Sequence, residues 1–472
     1  MLPVFRKKTP QDAPSLWIAT SDLPTTPATG FYQKLDAVLA KRQFGDAVRR
    51  LCSPYYDTDA SKGGQPGIDP EVYFKMLMVG FFENLPAERA IAARCADSFS
   101  IRPFLHYELT ERTPHHSSFT VIRQRLPLAV YAQVFDLFLV ALHEEKLLRG
   151  KHLAIDTSVL EANASLRSLT HRLTGEKYRQ YVKRLAKEAG VDTTDPRAVS
   201  TFDRKRPDRT TSNDDWQNPH DPDAKVGPDK KGVTRMIYKP EHVVDLETGA
   251  IVDVDLKPGD EPDAEGLTDR VRHVEENLNA ALGEPRRVAR IATIVGDMGY
   301  CAVDALVELQ TAGVRTAIPD PVKNRRRDKL PPEQHQALQT AKRTCRSASG
   351  RWLMQHRGEF AERSFVHVLD YGGARRTTLR GRENILKRYV VQAACLNLSI
   401  LLRKLVGIGT VKQAWAASGA AAEAFLRIFD IWATGTSRSV HSWLRTRTLR
   451  LAQLFRPEPI AMTPMMPTST VC

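Results

Sequence analysis

Cysteine is scarce and scattered. The six residues, Cys52, Cys95, Cys301, Cys345, Cys395 and Cys472, stand far apart, and no CxxC pair occurs. That spacing argues against a zinc ribbon or a disulfide framework. It fits a reducing compartment, so a cytoplasmic location is the expectation. Long apolar runs are missing as well. The first residues, MLPVFRKKTPQDAPSLW, hold no stretch long enough for a signal peptide. The most apolar segment, Tyr389–Leu402, is broken by Gln392 and Asn397 and ends at Arg403. It reads as too short and too polar to cross a bilayer, and no membrane partner is expected. No GxxxxGK[ST] loop is present either, so ATP-driven chemistry is not indicated.

What the chain has is length and positive charge. Its 472 residues suggest two or three structural units. Hydrophobic residues make up 42% of it, enough for a real core. Lysine and arginine outnumber aspartate and glutamate by 69 to 55, a formal net charge of +14. Such a surplus favours a polyanionic partner, nucleic acid first.

Residues 1–30 read as a loose leader rich in proline and threonine. From 31 to 148 the pattern is helical. Asp69-Pro70 introduces a helix over 71–85, a capping residue before proline at the first helical position. Further helices are expected over 88–105, 117–127 and 130–148. Arg89, Arg94, Arg102, Arg112, Arg123 and Arg125 lie between the apolar stripes. They suit either a DNA-binding helical domain or a plain bundle with solvated charges.

The character changes at 149–405, which reads as one α/β domain. A β-type run, His152–Ile155, leads into Asp156, and a polar helical stretch covers about 165–190. A charged, proline-rich segment at about 203–235 reads as a long loop. Two strand signals joined by Glu247-Thr248-Gly249 predict an antiparallel hairpin. A helix (264–282), a strand ending at Asp297, a helix closed by Gly313, a short strand and a long helix carrying Glu362 follow. Residues 406–472 read as a helical tail with a disordered end.

Asp156 and Asp297 each sit where an apolar run stops, so each can point from a sheet's rim. Cleavage of a phosphodiester needs an activated nucleophile and a stabilised leaving oxygen, and paired divalent ions supply both. Hard cations such as Mg²⁺ take carboxylate oxygens. A strand-end aspartate that merely caps the following turn is the competing reading.

Several segments, in order, carry a family resemblance. They are GQPGIDPEVYFKMLMVGFFE (64–83), ERAIAARCADSFSIRPFL (88–105), PHHSSFTVIRQRLP (114–127), AIDTSVLEANAS (154–165), YKPEHVVDLETGAIVDVDL (238–256), VGDMGY (295–300) and AERSFVHVLDYGGARRTTLRGRENILKRY (361–389). Together they resemble the DDE transposases of bacterial insertion sequences, in the branch with a helical N-terminal domain and an ERSF-type glutamate. The resemblance spans roughly 31–409. It implies a ribonuclease-H-like mixed sheet flanked by helices, with an all-helical N-terminal domain. The family's catalytic, metal-binding carboxylates fall on Asp156, Asp297 and Glu362. Mg²⁺ is the implied ion, with Mn²⁺ as a substitute. The implied partners are the double-stranded DNA of element ends and target, bound by a homodimer. Two positions depart: Met298 stands where the family often has lysine, and His115 where it often has aspartate.

Glu359 and Glu383 rival Glu362. The basic run Arg357, Arg363, Arg375, Arg376, Arg380, Arg382, Lys387 and Arg388 is read as phosphate-contacting, against a solvated helix face. Tyr300 reads as packing, Trp216 as a loop anchor rather than a DNA wedge, and His115 and His116 as surface or capping residues. A nuclease without strand transfer and an inactive DNA-binding derivative are the alternatives to an active transposase.

Overall fold

The computed structural model describes residues 19, 23–56, 67–207, 213–282, 291–322 and 330–419. The basic stretch 323–329 and the tail beyond 419 lie outside them, as does most of the leader. Residues 34–409 form one compact unit. Met1–Gln33 and Thr410–Cys472 are grouped in a second, in which 27–33 and 411–419 are helical.

The helical N-terminal region comprises α1 (Pro27–Lys41), α2 (Phe44–Cys52), α3 (Pro70–Phe82), α4 (Glu88–Asp97), α5 (Ile101–Phe104), α6 (Ser117–Arg125) and α7 (Leu128–Glu144). The expected start of α3 is present: Asp69 accepts a hydrogen bond from the Glu71 amide (2.9 Å) and Pro70 opens the helix. Every residue from Val72 to Phe81 is buried. That includes Lys75, whose ammonium is matched by Asp36 (2.7 Å) and Glu71 (2.8 Å). The single helix expected over 88–105 is two. Ser98 turns extended (φ −101°, ψ 115°) and its hydroxyl accepts the Ile101 amide, ending α4. Arg102 and Arg123 do not face solvent. Arg102 donates to the Ala96, Glu108 and Glu111 carbonyls, and Arg123 pairs with Glu88.

The second half is built on a mixed sheet. Its elements are β1 (His152–Thr157), β2 (Leu160–Glu161), β3 (Thr170–His171), α8 (Tyr178–Glu188), α9 (Pro196–Lys205), β4 (Trp216–Gln217), β5 (Lys225–Pro228), β6 (Thr234–Asp245), β7 (Ile251–Pro258), α10 (Leu267–Leu282), β8 (Thr293–Val295), α11 (Val303–Thr311), β9 (Arg315–Ala317), α12 (Pro332–Arg346), α13 (Ala348–Phe365) and α14 (Arg382–Val406). The long strands run β7-β6-β1-β8-β9 across the sheet. β6 runs antiparallel to both β1 and β7, whereas β8 and β9 run parallel to β1. This is a mixed sheet, as the sequence resemblance implies. The β6–β7 hairpin forms as the sequence predicts, with Gly249 at φ +76° in its turn. β8 is buried at all three positions, as a parallel strand covered on both faces requires.

The segment between β2 and β6 holds more structure than the sequence suggests. Of the stretch at 165–190, α8 in the latter half and a 3-10 turn over Leu166–Ser168 are helical. Within 203–235, β5 pairs with β6, and Asn213 clamps the Val226 amide and carbonyl (2.8 and 3.1 Å). Trp216 is buried against His171, Tyr178 and Tyr181, which supports the anchor reading.

α14 is central. By length and composition it would pass as a membrane span, but it is buried continuously from Ile385 to Ser399 inside the protein. It packs on α7, α3 and β7. Asn397 completes the edge of β7: its carbonyl oxygen accepts the Ile251 amide (2.9 Å) and its amide donates to the Ile251 carbonyl (2.7 Å). Asn397→Leu keeps the volume and orphans two buried backbone groups. At about 1–3 kcal/mol each, the variant is expected to lose several kcal/mol, read as a lower urea midpoint with an unchanged denaturant slope.

Candidate active site

Parallel strands end at the same edge of a sheet. Leu153 of β1 pairs with Ile294 of β8, and Ala154 with Val295. Carrying that register two residues further sets Asp156 against Asp297, with neighbouring strands about 4.8 Å apart. Asp297 accepts the Gly299 amide (2.8 Å) and so caps a 3-10 turn over Met298–Tyr300. The capping role is therefore met by this residue.

A third carboxylate joins them. A Cβ added to Gly299 would lie 3.0 Å from Asp297 Oδ1 and 3.1 Å from Asp263 Oδ2. The two oxygens can be no farther apart than those distances end to end. Asp263 lies in the turn between β7 and α10 and is held by Lys239, whose Nζ donates to Oδ1 (3.1 Å) and to the Glu261 carbonyl (2.8 Å). No apolar run ends at Asp263, so strand-end reasoning passes over it.

α13 covers this edge. Opposite Asp156 in β6 stands His242, fully buried, with Nδ1 on the Ser364 hydroxyl and Nε2 on the Tyr389 hydroxyl (both 2.7 Å). Its ring stacks on Phe365. Burial drives His242 down to about 3, so the ring is neutral and ties α13 and α14 to the sheet. Arg357 of α13 reaches Asp156, Nη1 to Oδ2, at 3.2 Å. Burial pushes the Asp156 carboxyl up to about 6, and Asp297 and Asp263 push the same way; Arg357 and the Thr157 amide oppose them.

On the opposite face lies a buried charged network. Glu241 accepts from Tyr300 (3.0 Å) and pairs with Lys257 (3.0 Å) and Arg270 (3.1 Å), and Arg270 also meets Asp253 (3.1 Å). Tyr300 therefore packs beneath the aspartates, as expected. The network itself was missed, since nothing in sequence links β6, β7, α10 and the 3-10 turn.

Glu362 is on the expected helix but exposed, and it makes no side-chain hydrogen bond or ion pair among the described residues. Arg357 and Glu362 lie five residues apart, about 7.5 Å along the helix and well round its circumference. Among the described residues, no group of three or more His, Cys, Asp or Glu stands at metal-holding distance. The structure thus brings Asp156 and Asp297 together and leaves Glu362 on the flank. Its rivals are engaged: Glu359 pairs with Arg363, and Glu383 with Lys387 (2.7 Å) rather than with an arginine. The helix turns π directly after Phe365, over Val366–Tyr371.

The basic run divides. Lys387 and Arg388 are buried and donate to the Arg123 and Leu85 carbonyls, fastening α14 to the N-terminal helices. They cannot reach a phosphate, because α14 is enclosed on every side over this stretch. Arg357 is taken by Asp156, and Arg375 forms a two-pronged pair with Asp370 (both 2.8 Å). Arg363, Arg376 and Arg380 are exposed. His115 accepts or donates at Ser117 Oγ (2.9 Å), a capping role.

Comparison with known proteins gives two family matches: a transposase domain (DUF772) over residues 23–125 and a transposase DDE domain over residues 191–398. Asp297 and Glu362 fall within the second match; Asp156 precedes it. No curated protein matches the chain. Among solved structures, a Mos1 transposase paired-end complex with left transposon end is similar at 12% identity, covering 69% of this chain and 85% of that one, with a TM-score of 0.18. A pre-cleavage Mos1 transpososome is similar at 13% identity with the same coverage and a TM-score of 0.16.

The raised Asp156 carboxyl has a pH signature. Unfolded, an aspartate titrates near 3.9; folded, this one titrates at about 6. Between those values the unfolded chain gives up a proton that the folded chain keeps, so stability falls as pH rises and stays lowered above 6. Without divalent ions, Asp156→Asn is expected to gain on the wild type from pH 4 to 6.5, by at most about 3 kcal/mol, and then level off. Thermal melts across that range check it; parallel curves contradict it.

Proposed function

The chain belongs to the DDE transposases, enzymes of DNA transposition, and from that premise we propose that Asp156, Asp297 and Glu362 form its catalytic set. The observation that carries the reading is the strand register that sets Asp156 against Asp297 at one sheet edge. Enzymes of this family use divalent metal ions, and the residues here fit such an ion. Carboxylates crowd a half-buried edge, burial pushes Asp156 up with Asp297 adding to it, and a guanidinium sits where a cation is wanted. Arg357 also carries a buried Nε with no hydrogen-bond partner among the described residues.

Asp156 and Asp297 would hold the ion, with Glu362 as the third ligand. We assign Mg²⁺, with Mn²⁺ as a substitute, from the all-oxygen donor set. When bound, the ion supplies an activated water or 3′-hydroxyl and charge stabilisation at the leaving oxygen. The protein's own part is positional. The β1–β8 register holds two ligands, and His242 fixes α13 across them. Arg357 has to release Asp156 before Glu362 can join, since its guanidinium fills the α13 side of that carboxylate. Arg363, Arg376 and Arg380 are the exposed cations available to phosphates.

The substrate in this reading is the double-stranded DNA of the element's ends, followed by target DNA, with two copies of the chain holding two ends in the cytoplasm. The test uses the full chain, Mg²⁺ and DNA from the flanks of its own gene. Asp156→Ala, Asp297→Ala and Glu362→Ala are each expected to lower cleavage at least a hundredfold while end binding survives. A variant that cuts undiminished removes its residue from the set. A pre-cut end that is never joined to target DNA favours a nuclease without strand transfer.

A further inference from the structure

A cavity of about 420 Å³ opens beside β2, away from the carboxylates. Four arginines line it, Arg167, Arg235, Arg376 and Arg380, with His220 and a single carboxylate, Glu161. Glu161 is shared: its Oε1 lies 3.3 Å from Arg235 and 3.5 Å from Arg376. Arg235 has a second acid in Asp229 (2.9 Å). Arg167 and Arg380 form no ion pair among the described residues, and both are exposed. The cavity therefore carries a clear excess of positive charge.

This concentration is built by the fold. The chain after Gly373 runs alongside β2, with the Glu161 amide donating to the Arg375 carbonyl (3.0 Å) and the Thr377 amide to the Glu161 carbonyl (2.9 Å). Asn163 donates to the Thr378 carbonyl (2.9 Å), and Arg380 to the Asn163 carbonyl (3.3 Å). On the other wall, Asn218 donates to the Ser165 carbonyl (2.9 Å), and Ser165 caps the turn that presents Arg167 (3.2 Å). Segments far apart in sequence are locked together to aim guanidinium groups into one space. Arginine forks suit phosphate oxygens, and arginines lacking a carboxylate are the ones free to take them.

The position decides which phosphate. Glu161 pairs with Ile237 of β6, and Asp156 with His242, five residues along the same strand. At a strand's rise that is about 16 Å, or roughly five nucleotide steps of a DNA strand. We propose that this cavity clamps the phosphodiester backbone of an element-end strand about five nucleotides from the bond that is cut, with Arg167 and Arg380 as its principal contacts. The proposal rests on the transposase reading and adds a site to it.

The test measures binding of the full-length protein to fluorescent end DNA across a KCl series. Each phosphate contact contributes about 0.9 to the slope of log affinity against log salt. The double variant Arg167→Ala/Arg380→Ala is expected to bind at least tenfold more weakly, with a slope shallower by about two. Arg272→Ala, a charge lost from exposed α10, is the control and should leave the slope unchanged. A scan of single methylphosphonates through the end should show sensitivity near the fifth nucleotide from the cut in the wild type and none there in the double variant. Wild-type slopes in the double variant, or a scan flat at that position, overturn the proposal. Displacement from the cavity by inorganic phosphate or an acidic peptide, with DNA indifferent, overturns it too. Cleavage by the wild type and its loss in Asp156→Ala, run on the same DNA, report on the transposase reading separately. Matching circular dichroism melts show that the variants fold.

Discussion

The parallel pairing of β1 with β8 is the constraint on which the rest depends. An antiparallel neighbour would send Asp297 to the far edge of the sheet. A one-residue slip would turn Asp156 away from α13 and into the apolar layer under α10. The register is held because both strands are buried and each has one apolar set per face. Ala154 and Val295 pack with Leu353 of α13, while Leu153 and Ile294 line the α10 side. Two acids that a chain would never bring together by charge are thus forced into proximity by hydrophobic packing and backbone hydrogen bonds.

That proximity is costly, and the structure shows how the cost is met at rest. Asp156 is largely buried beside Asp297 and Asp263, and Arg357 supplies the compensating charge. His242 keeps α13 in place without adding a charge of its own, because both ring nitrogens are engaged by hydroxyls and the ring is fully enclosed. Beneath, Glu241 and Asp253 with Lys257 and Arg270 close a second network in which two acids balance two bases. A site strained by like charges next to a firmly balanced support is the pattern expected where a cation is to be taken up.

Much of this was legible in the sequence. Apolar runs that stop at Asp156 and Asp297 mark strand ends, and the hairpin around Gly249 announces itself by its turn. α3 is legible from Asp69-Pro70. What escaped has physical reasons. Ser98 breaks a helix by a side-chain hydrogen bond that periodicity does not register. Lys387 and Arg388 look like a basic surface, yet they are tertiary anchors whose partners are carbonyls more than two hundred residues away. Asp263 follows no apolar run and enters only through folding of the β7–α10 turn. Arg357 read as a DNA contact, and its pairing with Asp156 depends on the angle at which α13 crosses the sheet. Short strands such as β5 form because β6 is already there to pair with.

The central claim is that Asp156, Asp297 and Glu362 share a divalent ion. The most direct measurement is a crystal structure of the full chain bound to element-end DNA and Mn²⁺, with the ion located by its anomalous scattering. The account predicts Mn²⁺ within about 2.2 Å of carboxylate oxygens from all three residues, Arg357 withdrawn from Asp156, and a phosphate oxygen in the ion's remaining coordination. An ion seated elsewhere, or Glu362 still on the outer flank of α13 with DNA in place, would contradict it.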